Sequence, residues 1–181
     1  GDSLLRRISV PRWPCALAWD STDDLVYVAS RGERSLTVVD AARDTVIGSF
    51  AAAGKPQRLL YDGAGNKVYL ASESSGVTVV PGGAVEPAVE RRLWVDVRGV
   101  APRPAADELY CQLFGQAIAV LGADSFEVRR QFGVAADWLM PSWDRAGQKL
   151  YAGLRLDYPA ESLLMQVHAD RSDSVVRIAG V

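Results

Sequence analysis

Asp24-Leu25-Val26-Tyr27, Asn66-Lys67-Val68-Tyr69, Asp107-Glu108-Leu109-Tyr110 and Gln148-Lys149-Leu150-Tyr151 are four copies of one short segment, a polar turn running into an apolar strand that carries a tyrosine. The tyrosines lie 42, 41 and 41 residues apart. Self-similarity at such a period marks a repeat architecture, in which one small unit is duplicated and stacked on its neighbours. A chain of 181 residues is long enough to bury a core without disulfides or metals, and the repeat argues for a single domain over residues 1–181.

Around the first tyrosine the sequence divides into four apolar runs, Ala16–Trp19, Leu25–Ala29, Leu36–Val39 and Thr45–Phe50, separated by clusters of Asp, Ser, Thr, Gly and Arg. Short β-branched runs between turn-forming clusters read as an antiparallel four-stranded meander, and no stretch carries an apolar face at helical spacing. Both alternating faces of the second run are apolar, Leu25 and Tyr27 on one and Val26 and Val28 on the other, so each sheet needs cover on both sides. Four-stranded sheets repeated in sequence and stacked face to face around an axis make a β-propeller. The fold expected is therefore all-β, a propeller of four-stranded antiparallel blades near 11–53, 54–96, 97–136 and 137–181.

An aromatic-Asp pair closes the first strand as Trp19-Asp20, Tyr61-Asp62 and Trp143-Asp144, whereas the third copy has Pro102-Arg103. An aspartate before a polar turn accepts hydrogen bonds from the backbone N–H groups that follow it. Recurrence once per blade points to that structural task rather than to catalysis.

Tyr27-Val28-Ala29-Ser30 and Tyr69-Leu70-Ala71-Ser72, each followed by a strand such as Leu36-Thr37-Val38-Val39-Asp40 or Val77-Thr78-Val79-Val80, resemble the YVTN β-propeller repeats. Copies three and four depart, with Tyr110-Cys111-Gln112-Leu113 and Tyr151-Ala152-Gly153-Leu154. The resemblance implies a bacterial exported, periplasmic or cell-surface protein. Similar propellers also serve as non-catalytic subunits of periplasmic dehydrogenases.

Ser3–Val10 matches the fourth-strand positions of later blades, around Arg91-Arg92, Arg129-Arg130 and Arg177, and is expected as the outer strand of a preceding blade over residues 1–10. Since 174–180 already supplies a fourth strand to the last blade, one rim strand is left over. The expectation is a segment, or a half, of a larger ring of about six to eight blades, the half closing as a homodimer. A closed four-bladed monomer is the alternative. The paired arginines read as charges that keep rim strands from adding to other sheets.

Composition narrows the partners. A formal net charge of −2 gives no general attraction to nucleic acid, and no apolar run approaches the roughly 20 residues of a membrane span, so neither nucleic-acid binding nor membrane insertion is expected. The N-terminus shows no basic start followed by a long apolar stretch. Cys15 and Cys111 fall on different strands of non-adjacent blades and are expected to be free thiols.

Catalytic constellations are scarce. His168 is the single histidine, with no motif of a metal site or a nucleophile triad around it, and neither covalent haem nor a phosphate loop is encoded. Neither a catalytic residue, a metal ligand nor a cofactor is assigned. In a propeller the interblade loop and the loop joining strands two and three emerge at the same end, the mouth. Candidate ligand or partner contacts there are Trp13, Arg34, Lys55, Arg98, Trp138, Asp157 and Tyr158, with Arg155–Glu161 as the longest loop. The reading is a non-catalytic binding or scaffold propeller that takes a protein or small ligand at its mouth. Two alternatives stand beside it: part of an oxidoreductase-associated or hydrolase-like enzyme whose site needs further blades or subunits, and a structural surface repeat protein.

Overall fold

Four sheets, each of four antiparallel strands in sequence order, make up the computed structural model of the chain, which describes residues 4–86, 89–91, 96–114, 117–133, 141–144, 149–157, 160–168 and 174–178. The first is β1 (Pro14–Asp20), β2 (Leu25–Ser30), β3 (Ser35–Asp40) and β4 (Thr45–Ala51). The second is β5 (Lys55–Asp62), β6 (Lys67–Glu73), β7 (Gly76–Pro81) and β8 (Val89–Arg91). The third is β9 (Val97–Arg103), β10 (Glu108–Leu113), β11 (Ala117–Gly122) and β12 (Val128–Gly133). The fourth is β13 (Pro141–Asp144), β14 (Lys149–Asp157), β15 (Ala160–His168) and β16 (Ser174–Ile178). One 3-10 turn, Pro104–Ala106, is the helical element among the described residues. The chain divides into two compact units, Gly1–Trp94 and Val95–Val181, each holding two sheets.

In the first unit the front face of sheet one meets the back face of sheet two. Ala18, Leu25, Tyr27, Leu36 and Val38 cluster with Val68, Leu70 and Val80, and Leu59 and Tyr61 pack against the cluster. Alternation along the strands makes this possible, because residues two apart share a face. Buried Tyr27 spans the interface, its hydroxyl donating to the Ala84 carbonyl at 2.9 Å. Burial, with Asp20 and Asp23 nearby, pushes its pKa up to about 12. In the second unit Tyr110 takes the same place and stacks on Trp143, ring centres 5.8 Å apart.

Residues 4–10 pair with none of the four sheets, and Leu4 and Leu5 are exposed; the blade they are expected to complete is one that precedes sheet one. One expectation differs from the structure. The Arg155–Glu161 segment is not an irregular loop: β14 and β15 stay paired out to Asp157 with Ala160, so the extra length extends a hairpin. Both strands there keep supplying backbone partners to each other, which a free loop would leave to water.

Candidate functional site

The mouth end of the first unit is built by two backbone contacts between the segment before β1 and the β2–β3 turn. Arg31 N–H donates to the Trp13 carbonyl at 2.9 Å and Gly32 N–H to the Arg12 carbonyl at 3.1 Å. Ser30 Oγ adds a bond to the Pro11 carbonyl at 3.1 Å. These ties hold Trp13 with φ 56° and its side chain 75% exposed. Left-handed backbone is costly for a bulky residue, and an indole left in water gains nothing from burial.

Arg31 reaches across to the next sheet, its guanidinium 2.7 Å from Glu73 Oε2, and Gln57 Nε2 donates to the same oxygen at 3.1 Å. Lys55 is exposed and pairs in register with Glu73. Arg34, also at left-handed φ (50°), closes the β2–β3 turn, where its carbonyl accepts from Ala52 N–H. Glu33 Oε1 accepts from Arg12 N–H at 3.4 Å. The close approach of the segment entering β5 to the β6–β7 turn of the same sheet rests on Gly54: a Cβ would collide with the Glu73 carbonyl oxygen and lie 2.5 Å from Ser75 Oγ.

Trp13, Arg34 and Lys55 thus lie at one end of the first unit. Arg98 belongs to the second unit, where its guanidinium sits 5.1 Å over the ring of Phe114, itself 66% exposed, and 3.6 Å from Asp96. Asp157 ends β14 opposite Ala160, whereas Trp138 and Tyr158 lie outside the described residues. His168 pairs with Lys149 and Ser174 at the end of β15. Among the described residues no three His, Cys, Asp or Glu side chains gather as metal ligands.

At the opposite end Asp20, fully buried, accepts from Thr22 N–H at 3.0 Å and Asp23 N–H at 3.1 Å, the turn role expected of it. Its second oxygen accepts from Gly83 N–H, 3.1 Å away in the neighbouring sheet, so one carboxylate closes its own turn and fastens the next blade. Burial pushes the Asp20 pKa up, but the N–H groups and the Tyr61 hydroxyl outweigh it and leave the pKa below the usual carboxylate value. Asp62 repeats the turn contacts with Ala64 and Gly65.

The second unit carries a cluster that sequence reasoning missed. Glu108 accepts from Arg130 at 2.6 Å, from Arg103 at 3.2 Å and from the Tyr110 hydroxyl at 3.2 Å. Arg103 also lies 5.1 Å over Trp143. Burial alone raises the Glu108 pKa, but Arg130, Arg103 and Tyr110 together hold it below the ordinary value. The rim arginines Arg129 and Arg130 fold back on their own blade, Arg129 onto Asp107 and Arg130 onto Glu108. Each oxygen of Glu108 is held by an arginine, so the cluster ties the first, second and fourth strands of the blade together.

No family model matches the chain, and no curated protein sequence matches it. Among solved structures it is similar to hydrazine synthase of Kuenenia stuttgartiensis, with a TM-score of 0.83 at 16% identity over 98% of this chain and 57% of that one. It is likewise similar to U3-55K, with a TM-score of 0.78 at 10% identity over 94% of this chain and 53% of that one. The chain therefore spans little more than half the length of these propeller-like proteins. At such identities the likeness concerns fold alone, and with four antiparallel four-stranded meanders it makes this an all-β chain of propeller blades.

Proposed function

We propose that this chain is a non-catalytic binding or scaffold module, of the YVTN repeat type, that receives an acidic segment of a partner protein at the mouth end of its first unit. The observation that carries the reading is Trp13, held with its indole in water by backbone bonds on both sides at a φ that a bulky residue adopts only at a cost. Exposed aromatics on a rigid frame are the usual anchors of protein recognition, because they supply contact area with little entropy to lose. Arg12, Arg31, Arg34 and Lys55 surround it against Glu33 and Glu73, so the local field is positive although the whole chain is slightly acidic. A complementary acidic segment gains both attraction and faster encounter. Since propellers host many roles, the fold supports a binding or scaffold role only in general terms.

The test is a fluorescence titration with a hexaglutamate peptide and, as control, hexalysine. The acidic peptide is expected to perturb Trp13 emission, the response weakening with salt, vanishing in Trp13→Ala and falling at least about tenfold in affinity in Arg34→Glu. Equal titration of wild type and Arg34→Glu, or a response to hexalysine as strong as to hexaglutamate, overturns the reading.

A further inference from the structure

Leu17 and Trp19 point away from the interface between the first two sheets and are 67% and 60% exposed, on the back face of sheet one. A groove of about 630 Å³ runs along this face, lined by Ile8, Val10, Leu17, Val26, Val28 and Val39. Two adjacent large apolar side chains exposed beside such a groove point to a partner.

The repeat says what kind. Leu17, Trp19, Val26, Val28 and Val39 occupy, one repeat earlier, the positions of Leu59, Tyr61, Val68, Leu70 and Val80, and those five form the back face of sheet two that meets the front of sheet one. In the second unit the position equivalent to Trp19 is Trp143, which stacks on Tyr110 from the front of the preceding sheet. Val28 and Val39 are buried on this face and Ile8 and Val10 line the groove beside them, so its exposed part is Leu17 and Trp19, and that part has the chemistry of a surface that receives another blade's front. A small apolar ligand in the groove would leave Trp19 without the ring its equivalent has.

The repeat also points to which front. Tyr27, Tyr69 and Tyr110 are 0%, 1% and 0% exposed, whereas Tyr151 of the fourth sheet is only half-buried. One front tyrosine and one back tryptophan are thus left incompletely covered in the same chain. This chain covers 57% and 53% of the two propeller-like chains above, so two copies supply about the residues of one such chain.

We propose that two copies of this chain associate head to tail, the Tyr151 face of the fourth sheet of each seating on the Leu17 and Trp19 face of the first sheet of the other, so that two identical junctions close one ring. The inference stands on the sheet faces and needs no extra strand from residues 4–10. Its failure leaves the mouth reading untouched, because neither Trp13 nor Arg34 lies on either face.

Sedimentation equilibrium of the whole chain, from about 1 to about 50 µM, reads the state directly. A dimer is expected, with Trp19 shielded from acrylamide as judged against Trp19→Phe. Leu17→Glu, which changes a side chain already facing water in the single chain, is expected to raise the dissociation constant at least about 100-fold without altering the far-ultraviolet circular dichroism. Tyr151→Ala is expected to do the same from the opposite face. A mixture of the two variants retains one intact junction and is expected to associate more tightly than either alone. A monomer at about 50 µM overturns the proposal whether Trp19 is open to acrylamide or shielded, the shielded case meaning closure within one chain. A dimer indifferent to Leu17→Glu overturns it too, and one indifferent to Tyr151→Ala shows that the back faces meet each other instead.

Discussion

Asp20 fastens two blades with one carboxylate, and replacing it measures what that costs. In Asp20→Ala, the N–H groups of Thr22, Asp23 and Gly83 lose an ionised acceptor at 3.0, 3.1 and 3.1 Å. A hydrogen bond to a charged group contributes about 1.5–3 kcal/mol, but Thr22 and Asp23 are exposed and water replaces part of theirs, so about 3 kcal/mol is expected in total. For a chain of this size that lowers Tm by roughly 6–12 °C. Asp20→Asn keeps one oxygen for Thr22 and Asp23 but turns an amide N–H₂ towards Gly83 N–H, and is expected to lose about 1.5–2 kcal/mol. The folded pKa of Asp20 is lowered, so its contribution is fully present above the unfolded value of about 3.9 and disappears as pH falls through the lower folded value. Urea unfolding of wild type and Asp20→Asn should therefore differ by a constant amount above the unfolded Asp value and converge as pH falls through the lower folded value. Glu108 titrates in both proteins and cancels from the comparison. Equal stability at neutral pH, or a difference that survives at low pH, would refute the assignment.

Glu108→Gln leaves Arg103 and Arg130 facing a neutral group in a half-buried brace and should cost about 2–4 kcal/mol by urea unfolding. Gly54→Ala should cost about 1–3 kcal/mol, because its methyl group meets backbone that cannot yield; a thermal midpoint equal to wild type would contradict the contact. Both cysteines are free, and thiol labelling of the folded protein should modify Cys15 alone, with Cys111, whose burial drives its pKa far up, reacting only on unfolding. Trp13→Gly should hold or raise stability by about 0.5–1 kcal/mol, since glycine adopts φ 56° without strain, and a loss above about 1 kcal/mol would mean that the indole packs rather than waits for a partner.

The strand plan was legible because its signals are local: alternating faces, turn residues and a 41-residue beat decide where strands begin and which side chains point together. The sheets start at Pro14, Lys55, Val97 and Pro141, one strand before each of the four tyrosine-bearing strands. What lay beyond reach was pairing between blades. Nothing in Trp19-Asp20-Ser21 announces Gly83, because that contact depends on how far one sheet is rotated against the next. Residues 4–10 have the composition of a rim strand, but a strand is a relation between two segments, so composition alone does not say which sheet they would join.

The Glu108 brace shows where a signal existed and was misread. The third copy lacks the aromatic-Asp pair, and Arg103 stands where the other blades place a carboxylate. A partly buried cation needs a partner, and Glu108 supplies it two residues before the repeat tyrosine; Arg130 then takes the acid's other oxygen. The carboxylate has in effect moved from the first strand of the blade to the second, and a rim arginine has been drawn inward to meet it. A departure from the repeat is therefore evidence of a compensating residue elsewhere in the same blade. By the same logic, a repeat position that keeps its apolar character yet lies exposed, as Leu17 and Trp19 do, is the place where the proposed second copy is to be sought, and their substitution is what tests it.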